Sequence, residues 1–233
     1  MTEPESLDDR LVRHDVPTPR GVVLLLHGGG EGEVDMAVAG KYAAYVRMVS
    51  LHRWVRGALA RHGVSSWVLR NRYVDWGARP PGLVDDEPPS VTDAREAIAR
   101  IRAVHPGRSI VLLGHSMGGR SGLRAADEPG VVGLVGLEPW LPVEESPAPL
   151  AGRHVALAAS PHDPEVPLAT VRAFALRAEA EAASVHVRRI GWNLGPLNRA
   201  AGHGMTTALR SWHRFATIQS VRMVDRAEAA RRA

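Results

Sequence analysis

Short apolar runs alternate along this chain with segments in which apolar positions recur every three or four residues. A continuous apolar run is typical of a strand buried in a parallel sheet, whereas the wider spacing is typical of a surface helix. Breakers rich in Gly, Pro and Asp separate the segments. The pattern predicts strands over Leu11–Val16, at the sheet edge, and over Gly21–Leu26, Val64–Leu69, Ser109–Leu113, Val131–Leu137, Val155–Ala159 and Val185–Ile190.

Helices are predicted between most of these strands. Ser90-Val91-Thr92-Asp93 is interpreted as a capping box that opens a helix to Val104. The other predicted helices cover Tyr42–Arg61, Met117 to about Asp127, Leu168–Ala183 and a terminal segment from near Met205. Such alternation indicates an α/β fold with a mostly parallel sheet and helices on both faces. At 233 residues without an internal repeat, we expect a single domain over residues 1–233.

The composition narrows the classes of partner. The net charge is +4 and the isoelectric point is about 10.2, but the arginines are spread along the whole chain. Lys41 is the only lysine, which indicates codon bias in a GC-rich genome and not a nucleic-acid footprint. We therefore expect no nucleic-acid partner. The chain has no cysteine, which excludes disulfides, thiolate zinc sites and cysteine nucleophiles.

The chain carries no sequence signal for a membrane. The segment from Met1 to Asp9 is acidic and lacks the basic-then-apolar order of a signal peptide. The longest unbroken aliphatic run, Val22–Leu26, is far too short for a membrane span. We expect a cytoplasmic protein without a membrane span, and the sequence leaves its oligomeric state open.

Ser116 is the candidate nucleophile. The predicted strand Ser109–Leu113 continues directly into Gly114-His115-Ser116-Met117-Gly118-Gly119, and a predicted helix follows. A serine on such a strand-to-helix turn holds its hydroxyl above the sheet edge, and the flanking glycines leave room for the backbone to close. The five-residue pattern alone arises by chance in about one chain in ten of this length. The prediction therefore depends on the strand before it and the helix after it.

A serine nucleophile needs a base, an acid that orients the base, and donors for the oxyanion. His203, in Gly202-His203-Gly204 after the last strand, is the candidate base. Asp163, which follows the strand Val155–Ala159, is the candidate acid. The order Ser116, Asp163, His203 is the order described for the α/β-hydrolase fold. The rival positions are Glu138 for the acid, and His162 and His213 for the base.

On these residues the chain resembles the α/β-hydrolases, and among them the small esterases, lipases and dienelactone hydrolases without a cap. The likeness extends from Gly21 to about Phe215. It implies that His27-Gly28-Gly29-Gly30 is the oxyanion loop, with the amide of Gly29, or alternatively of Gly30, facing the serine. The amide of Met117 is then the second donor. The chain departs from the family at Ser160-Pro161-His162-Asp163, where relatives often carry a glycine, and in the long loop Gly191 to Gly202.

Residues that follow strand ends are candidates for the substrate pocket, because α/β sheets bind ligands at that edge. These candidates are Gly30, Tyr73, Trp76, Trp140 and Trp192. Tyr73 and Trp76 have an equal alternative as part of a solvated loop that covers the core. Only Leu141–Gly152 separates the strand after the elbow from the next, so no cap domain fits there. The only other room for a cover lies in Glu31–Lys41 and Asn71–Pro89, and we expect an open, shallow site.

The sequence thus predicts a serine hydrolase that cleaves a small carboxylic ester or thioester without a cofactor. No pair of histidines or carboxylates has a tight metal-ligand spacing, so we expect no metal site. Two other functions stay open. One is a cofactor-free lyase, perhydrolase or acyltransferase on the same triad, and the other is a non-catalytic binding protein of this fold.

Overall fold

A computed structural model describes residues 5–30, 36–74, 76–77, 87–192, 195–197 and 202–232. Its strands are β1 (Leu11–His14), β2 (Gly21–Leu26), β3 (Val64–Leu69), β4 (Ser109–His115), β5 (Val131–Leu137), β6 (His154–Ala159) and β7 (Ser184–Arg189). They form one sheet in the order β1-β3-β2-β4-β5-β6-β7. The edge strand β1 is antiparallel to β3, and every other neighbouring pair is parallel. The predicted, mostly parallel α/β sheet is confirmed.

Helices cover both faces of this sheet. They are α1 (Ala43–Arg61), α2 (Pro89–Val104), α3 (Met117–Arg124), α4 (Leu168–Ala178) and α5 (Leu209–Arg232). The side chains of α1 and α5 pack in one apolar core, and those of α2, α3 and α4 pack in another. Strand β2 is fully buried and serves both cores, because successive side chains of a strand point to opposite faces. Leu24 enters the α2 side, and Val23 and Leu25 enter the α1 side.

The predicted capping box of α2 is wrong. The helix begins at Pro89, and its N-cap residue, Pro88, makes no side-chain cap. Proline suits the first helical position because its φ is already helical and its missing N–H needs no partner there. Ser90 lies inside the helix and accepts a hydrogen bond from Ser121 Oγ at 2.9 Å. Asp93 is fully buried and binds two arginines, so its carboxylate is not a cap.

The terminal helix begins at Leu209 and not near Met205. Met205 and Ala208 have φ values of 54° and 51°, in the left-handed region that no right-handed helix contains. The segment before Leu209 is therefore a loop, and it carries Gly202, His203 and Gly204. This start of α5 leaves His203 on a loop at the edge of the sheet.

The connection between β5 and β6, residues 138–153, contains only a short 3-10 helix, Ala148–Leu150, and no cap domain is inserted there. The other segments with room for a cover lie partly outside the described residues, at 31–35, 75 and 78–86. In the part of the chain that the structure describes, no helix combines the length and apolar character needed to cross a membrane. The loops after β2, β4, β5 and β6 meet at one edge of the sheet, where parallel strands bind ligands.

Candidate active site

Ser116 lies on a strained turn between β4 and α3. Its φ of 53° and ψ of −122° fall in a region that residues with side chains rarely adopt. A Cβ on Gly114 would lie 2.3 Å from the Gly118 carbonyl oxygen, and one on Gly118 would lie 2.3 Å from the Leu26 carbonyl oxygen. Any side chain at either position would displace backbone. The two glycines are therefore required by the close approach of β2, β4 and α3 at this turn.

Asp163 and His203 contact each other across the loop that follows β6. Asp163 Oδ2 lies 2.9 Å from His203 Nδ1. The other carboxylate oxygen, Oδ1, accepts hydrogen bonds from the amides of Glu165 at 2.8 Å and Val166 at 3.1 Å. These amides hold the carboxylate in one orientation, so it can fix the imidazole ring and favour the tautomer with a proton on Nδ1.

His115, the residue before Ser116, holds the loop that carries His203. Its Nε2 lies 2.8 Å from the His203 carbonyl oxygen, which accepts a hydrogen bond from the protonated nitrogen, and the two rings are 5.1 Å apart. Burial is the main cause that lowers the pKa of His115 well below its ordinary value, so this ring is neutral at neutral pH. The serine turn and the histidine loop are thus tied together by one partly buried hydrogen bond.

The loop after β2 lies against the serine turn. A Cβ on Gly29 would be 2.2 Å from the Val74 carbonyl oxygen and 2.5 Å from Met117 Sδ, so only glycine fits there. The amide of Gly30 donates a hydrogen bond to Val74 at 3.2 Å and is already engaged. In the described part of the chain no backbone carbonyl accepts from the Gly29 amide, so Gly29 stays the first candidate of the two. Met117 is the first residue of α3, where a backbone N–H has no partner within the helix.

His27 supports this loop through both ring nitrogens. Nδ1 lies 2.5 Å from the Gly28 carbonyl oxygen, and Nε2 accepts a hydrogen bond from the amide of Asn71 at 3.0 Å. Burial lowers the pKa of His27 to about 4, so the ring remains neutral and keeps one donor and one acceptor. His27 therefore links the loop of Gly28 and Gly29 to the backbone of Asn71.

Glu138, the rival acid, lies behind Asp163. It is fully buried at the end of β5, and its Oε1 accepts a hydrogen bond from the amide of Ser160 at 2.7 Å. Burial, and then the neighbouring charge of Asp163, raise the pKa of Glu138 to about 10. This carboxyl group is protonated at neutral pH and can donate a hydrogen bond to Asp163. Among the described residues Glu138 binds the Ser160 amide and feels the charge of Asp163, whereas Asp163 contacts His203.

The rival bases lie elsewhere. His213 is on α5 and stacks on Trp54, with ring centroids 5.5 Å apart. Burial lowers the pKa of His213. Neither His213 nor His162 is among the residues that line the cavity beside Ser116. Of the candidate bases, His203 lies in that cavity and contacts Asp163.

A second carboxylate, which the sequence analysis missed, meets His203 from the other side. Glu165 Oε2 lies 3.2 Å from His203 Nε2, and the side chain of Glu165 is 36% exposed. Both ring nitrogens of His203 therefore have a carboxylate neighbour. Glu165 follows Asp163 by two positions in Asp163-Pro164-Glu165-Val166, and this spacing was the available signal. The side chain is exposed enough to turn away from the ring.

These residues surround a cavity of 190 Å³. Its lining consists of Gly29, Gly30, Ser116, Met117, Trp140, Glu165, Val166 and His203. This volume is below the range of pockets that enclose drug-sized ligands, about 300–1,000 Å³. A small group can be held beside Ser116, and a larger substrate would extend into solvent.

Of the aromatic pocket candidates, only Trp140 lines the cavity. Tyr73 pairs with Ala37 in an isolated bridge. Trp76 packs edge-on against Trp140, with centroids 5.9 Å apart, and lies behind it. Trp192 is 65% exposed and is not part of the lining. The residues after β5 reach the cavity because Trp140 donates its backbone N–H to the Ser116 carbonyl oxygen at 3.1 Å.

Trp140 is backed by a charged cluster. The Arg120 guanidinium lies 4.2 Å from the Trp76 centroid and 4.6 Å from that of Trp140. Arg120 and Arg124 both bind the buried carboxylate of Glu145. Cation–π contacts of a desolvated guanidinium are worth about 2 kcal/mol. The cluster therefore keeps the Trp140 ring in one position at the cavity wall.

Among the described residues, no group of three or more His, Asp or Glu side chains is arranged to hold a metal ion. A hydroxyl, an imidazole with an orienting carboxylate, and two candidate amide donors lie around one cavity.

The comparisons with known proteins concern the family and the fold of this chain. Residues 17–186 match the model of a hydrolase family described as serine aminopeptidase, S33. The matched segment includes Ser116 and Asp163 and ends before His203. No curated protein sequence matches this chain.

Several solved structures share the fold of this chain. An alpha-beta serine hydrolase homologue from Coxiella burnetii has 15% identity and a TM-score of 0.62, with 90% of this chain and 89% of that chain covered. Est1E from Butyrivibrio proteoclasticus, with ferulic acid bound, has 14% identity and a TM-score of 0.64, with 94% and 98% covered. A serine hydrolase without a lid from Xanthomonas campestris has 16% identity and a TM-score of 0.59, with 91% and 84% covered. At these identities the likeness concerns the fold.

Proposed function

Because this chain belongs to the serine aminopeptidase S33 family of α/β-hydrolases, we propose that it cleaves a small carboxylic ester or thioester through an acyl intermediate on Ser116. The observation that carries the proposal is the 2.9 Å contact between Asp163 and His203, with His203 and Ser116 lining the same small cavity. Nothing in the proposed reaction uses a cofactor.

In the proposed reaction, His203 Nε2 takes the proton of the Ser116 hydroxyl as its oxygen attacks the acyl carbon. The carbonyl π electrons move to oxygen, and the amides of Gly29 and Met117 stabilise the resulting oxyanion. When the oxyanion collapses, the bond to the leaving group breaks and Nε2 returns the proton to that alcohol or thiol. Water then repeats the sequence on the acyl-serine and releases the acid.

This scheme requires Nε2 to be free of Glu165. In the resting site the Glu165 carboxylate lies 3.2 Å from Nε2 and occupies the atom that must accept the serine proton. Because the Glu165 side chain is 36% exposed, it can turn to solvent when a substrate enters. The Asp163 contact on Nδ1 is unaffected by this movement.

The substrate class follows from the size of the cavity and its aromatic wall. A volume of 190 Å³ holds a small acyl group, and Trp140 offers a flat apolar surface beside Ser116. Est1E, one of the structures with the same fold, binds ferulic acid, which is an aromatic carboxylic acid. We propose that esters of small aromatic acids or of short aliphatic acids are the preferred substrates.

Labelling with a fluorophosphonate tests the proposed nucleophile. Such reagents bond covalently to a serine whose hydroxyl is activated by a base. We expect the protein to be labelled once per chain, and Ser116→Ala to abolish the labelling. Ser121→Ala is the matched control, since Ser121 lies buried on α3 and bonds Ser90. If Ser116→Ala were labelled as well as the wild type, the nucleophile would be another residue, and a folded but unreactive wild type would indicate a binding protein.

Trp140 is expected to set the acyl preference. Trp140→Ala removes the aromatic wall, so kcat/KM for the ester of an aromatic acid should fall about tenfold. The value for an acetate ester with the same leaving group should change little. Trp192→Ala is the matched control, because Trp192 is exposed and lies outside the cavity. The ratio of kcat/KM for the two esters is the measurement. An unchanged ratio in Trp140→Ala would mean that the acyl group binds elsewhere.

A further inference from the structure

A larger cleft lies at the amino ends of the parallel strands, on the opposite side of the sheet from the candidate active site. It has a volume of 640 Å³ and forms where the starts of β4, β5 and β6 meet the last turns of α2 and α5. Strand β4 spans seven residues, so roughly 20 Å of strand separates this cleft from Ser116. Its size lies within the usual range for ligand pockets. A ligand in this cleft would not touch the proposed catalytic groups.

The cleft is lined by basic side chains. Its basic residues are Arg102, Arg108, Arg153, His154, Arg226 and Arg231. No acidic side chain belongs to the lining, all of which the structure describes. We call this site the arginine cleft. The arginines come from distant parts of the chain, and the fold brings them around one volume.

The acidic residues closest in sequence to the cleft form ion pairs with arginines outside its lining. Two of them precede Pro129 at the start of β5, and two others lie on α5 beside Arg226. The ion pairs are Arg95 with Asp127 (2.8 Å) and Glu128 (2.7 Å), and Arg20 with Asp225 (2.7 Å) and Glu228 (2.6 Å). Each of these four carboxylates is therefore held by an arginine that does not line the arginine cleft.

Neutral acceptors fix three of the five guanidinium groups of the cleft. Arg153 donates from Nε to the Ala126 carbonyl oxygen at 3.1 Å. Arg231 donates to the Gly107 carbonyl oxygen at 2.7 Å, and Arg226 donates to Ser184 Oγ at 3.0 Å. Carbonyl and hydroxyl oxygens orient a guanidinium without neutralising it. An anion that enters the cleft meets oriented donors and loses little of its binding free energy to ordering them.

We propose that the arginine cleft binds a small organic phosphate. Several guanidinium groups around one volume match the several oxygens of a phosphate or diphosphate, with which arginine forms paired hydrogen bonds. The apolar residues Val131, Val132, Ala227 and Ala230 also belong to the lining and offer a surface for the organic part of the ligand. This proposal is independent of the esterase proposal, since the two sites share no residue.

Isothermal titration with ADP and with inorganic pyrophosphate tests the arginine cleft on the full chain. We expect one ADP per chain, tighter binding of ADP than of pyrophosphate because of the apolar surface, and a higher melting temperature with ADP. The double variant Arg226→Gln/Arg231→Gln should weaken ADP binding about tenfold or more, since charge-assisted hydrogen bonds are lost. Arg102→Gln, an exposed position, is a second variant that should weaken binding if the double variant does not fold.

Arg53→Gln/Arg56→Gln on α1 is the matched control. Both of its arginines are exposed, neither lines the cleft, and the net charge falls by the same amount. We expect this control to bind ADP as the wild type does. If both double variants lost the same ADP affinity, the loss would be due to the lower net charge and not to the cleft, and the proposal would be overturned. It would also be overturned by pyrophosphate binding as tight as that of ADP, by the absence of ADP binding, or by sedimentation with phosphatidylglycerol vesicles without ADP binding. Fluorophosphonate labelling of Ser116 should be the same with and without ADP, which separates this test from that of the esterase.

Discussion

Ser116→Ala is expected to lower kcat for a small chromogenic ester by about 10³-fold or more, and His203→Ala is expected to do the same. The first variant lacks the attacking oxygen, and the second lacks the group that takes its proton. Both positions lie on loops above the sheet and outside the two apolar cores, so the fold should stay intact. Initial rates and a thermal melt of each variant are the measurements.

The double variant Ser116→Ala/His203→Ala should be no slower than either single variant. Members of a triad act as one unit, so their losses do not add. His213→Ala serves as the control, since this histidine stacks on Trp54 away from the cavity. If His203→Ala kept more than a tenth of the wild-type rate, the base would have to be reassigned, with His162 or His213 next in line.

The elbow could be predicted from the sequence because its causes are local. The apolar run before Ser116 is too short for a helix and therefore indicates a strand. The glycines at 114 and 118 are required because a Cβ at either position would lie 2.3 Å from a carbonyl oxygen. Such short-range steric requirements leave a signature in a few consecutive letters. The contact between Asp163 and His203 was also predictable, because parallel strands place the residues after their ends at one edge.

What the sequence could not show depends on contacts between distant segments. The start of α2 was mispredicted because Asp93 forms ion pairs with Arg10 and Arg72 and does not cap the helix. These pairs could not be read from the residues around Asp93 in the sequence. Trp76 and Trp140 look equivalent in sequence, yet only Trp140 reaches the cavity and Trp76 packs behind it. Arginines that are spread along the chain also gave no sign that several of them meet in one cleft.

Glu138 illustrates how burial decides between two carboxylates of equal chemical ability. Both acids follow strands at the same edge of the sheet, but Glu138 is fully buried behind Asp163. Burial and the Asp163 charge raise the pKa of Glu138 to about 10, so it is the neutral partner of the pair. A neutral carboxyl group can donate to Asp163, but it cannot balance the charge of an imidazolium. Asp163 is thereby left as the acid that contacts His203.

Asp163→Asn is expected to lower kcat by about 10³- to 10⁴-fold, because an amide can stabilise the wrong tautomer of His203 and cannot balance its positive charge. Glu138→Gln should change kcat by less than about threefold, because a glutamine amide has the shape and donor of the protonated carboxyl group that it replaces. Neither variant should alter the ratio of kcat/KM between the ester of an aromatic acid and an acetate ester, since neither residue lines the cavity. The reverse ranking would move the acid to Glu138.

The pH dependence of stability supplies a second readout for Glu138→Gln. The folded protein keeps the Glu138 proton up to a pKa of about 10, whereas an ordinary glutamate loses it near 4.5, so folding takes up a proton between these values. The contribution of Glu138 to the free energy of unfolding is therefore full below pH 4.5 and declines as the pH rises toward 10. Glutamine does not titrate, so the variant should be more stable than the wild type at pH 8 relative to pH 5. Urea unfolding of both proteins at these pH values measures the difference, and a difference that did not change with pH would show that Glu138 is ionised in the folded protein.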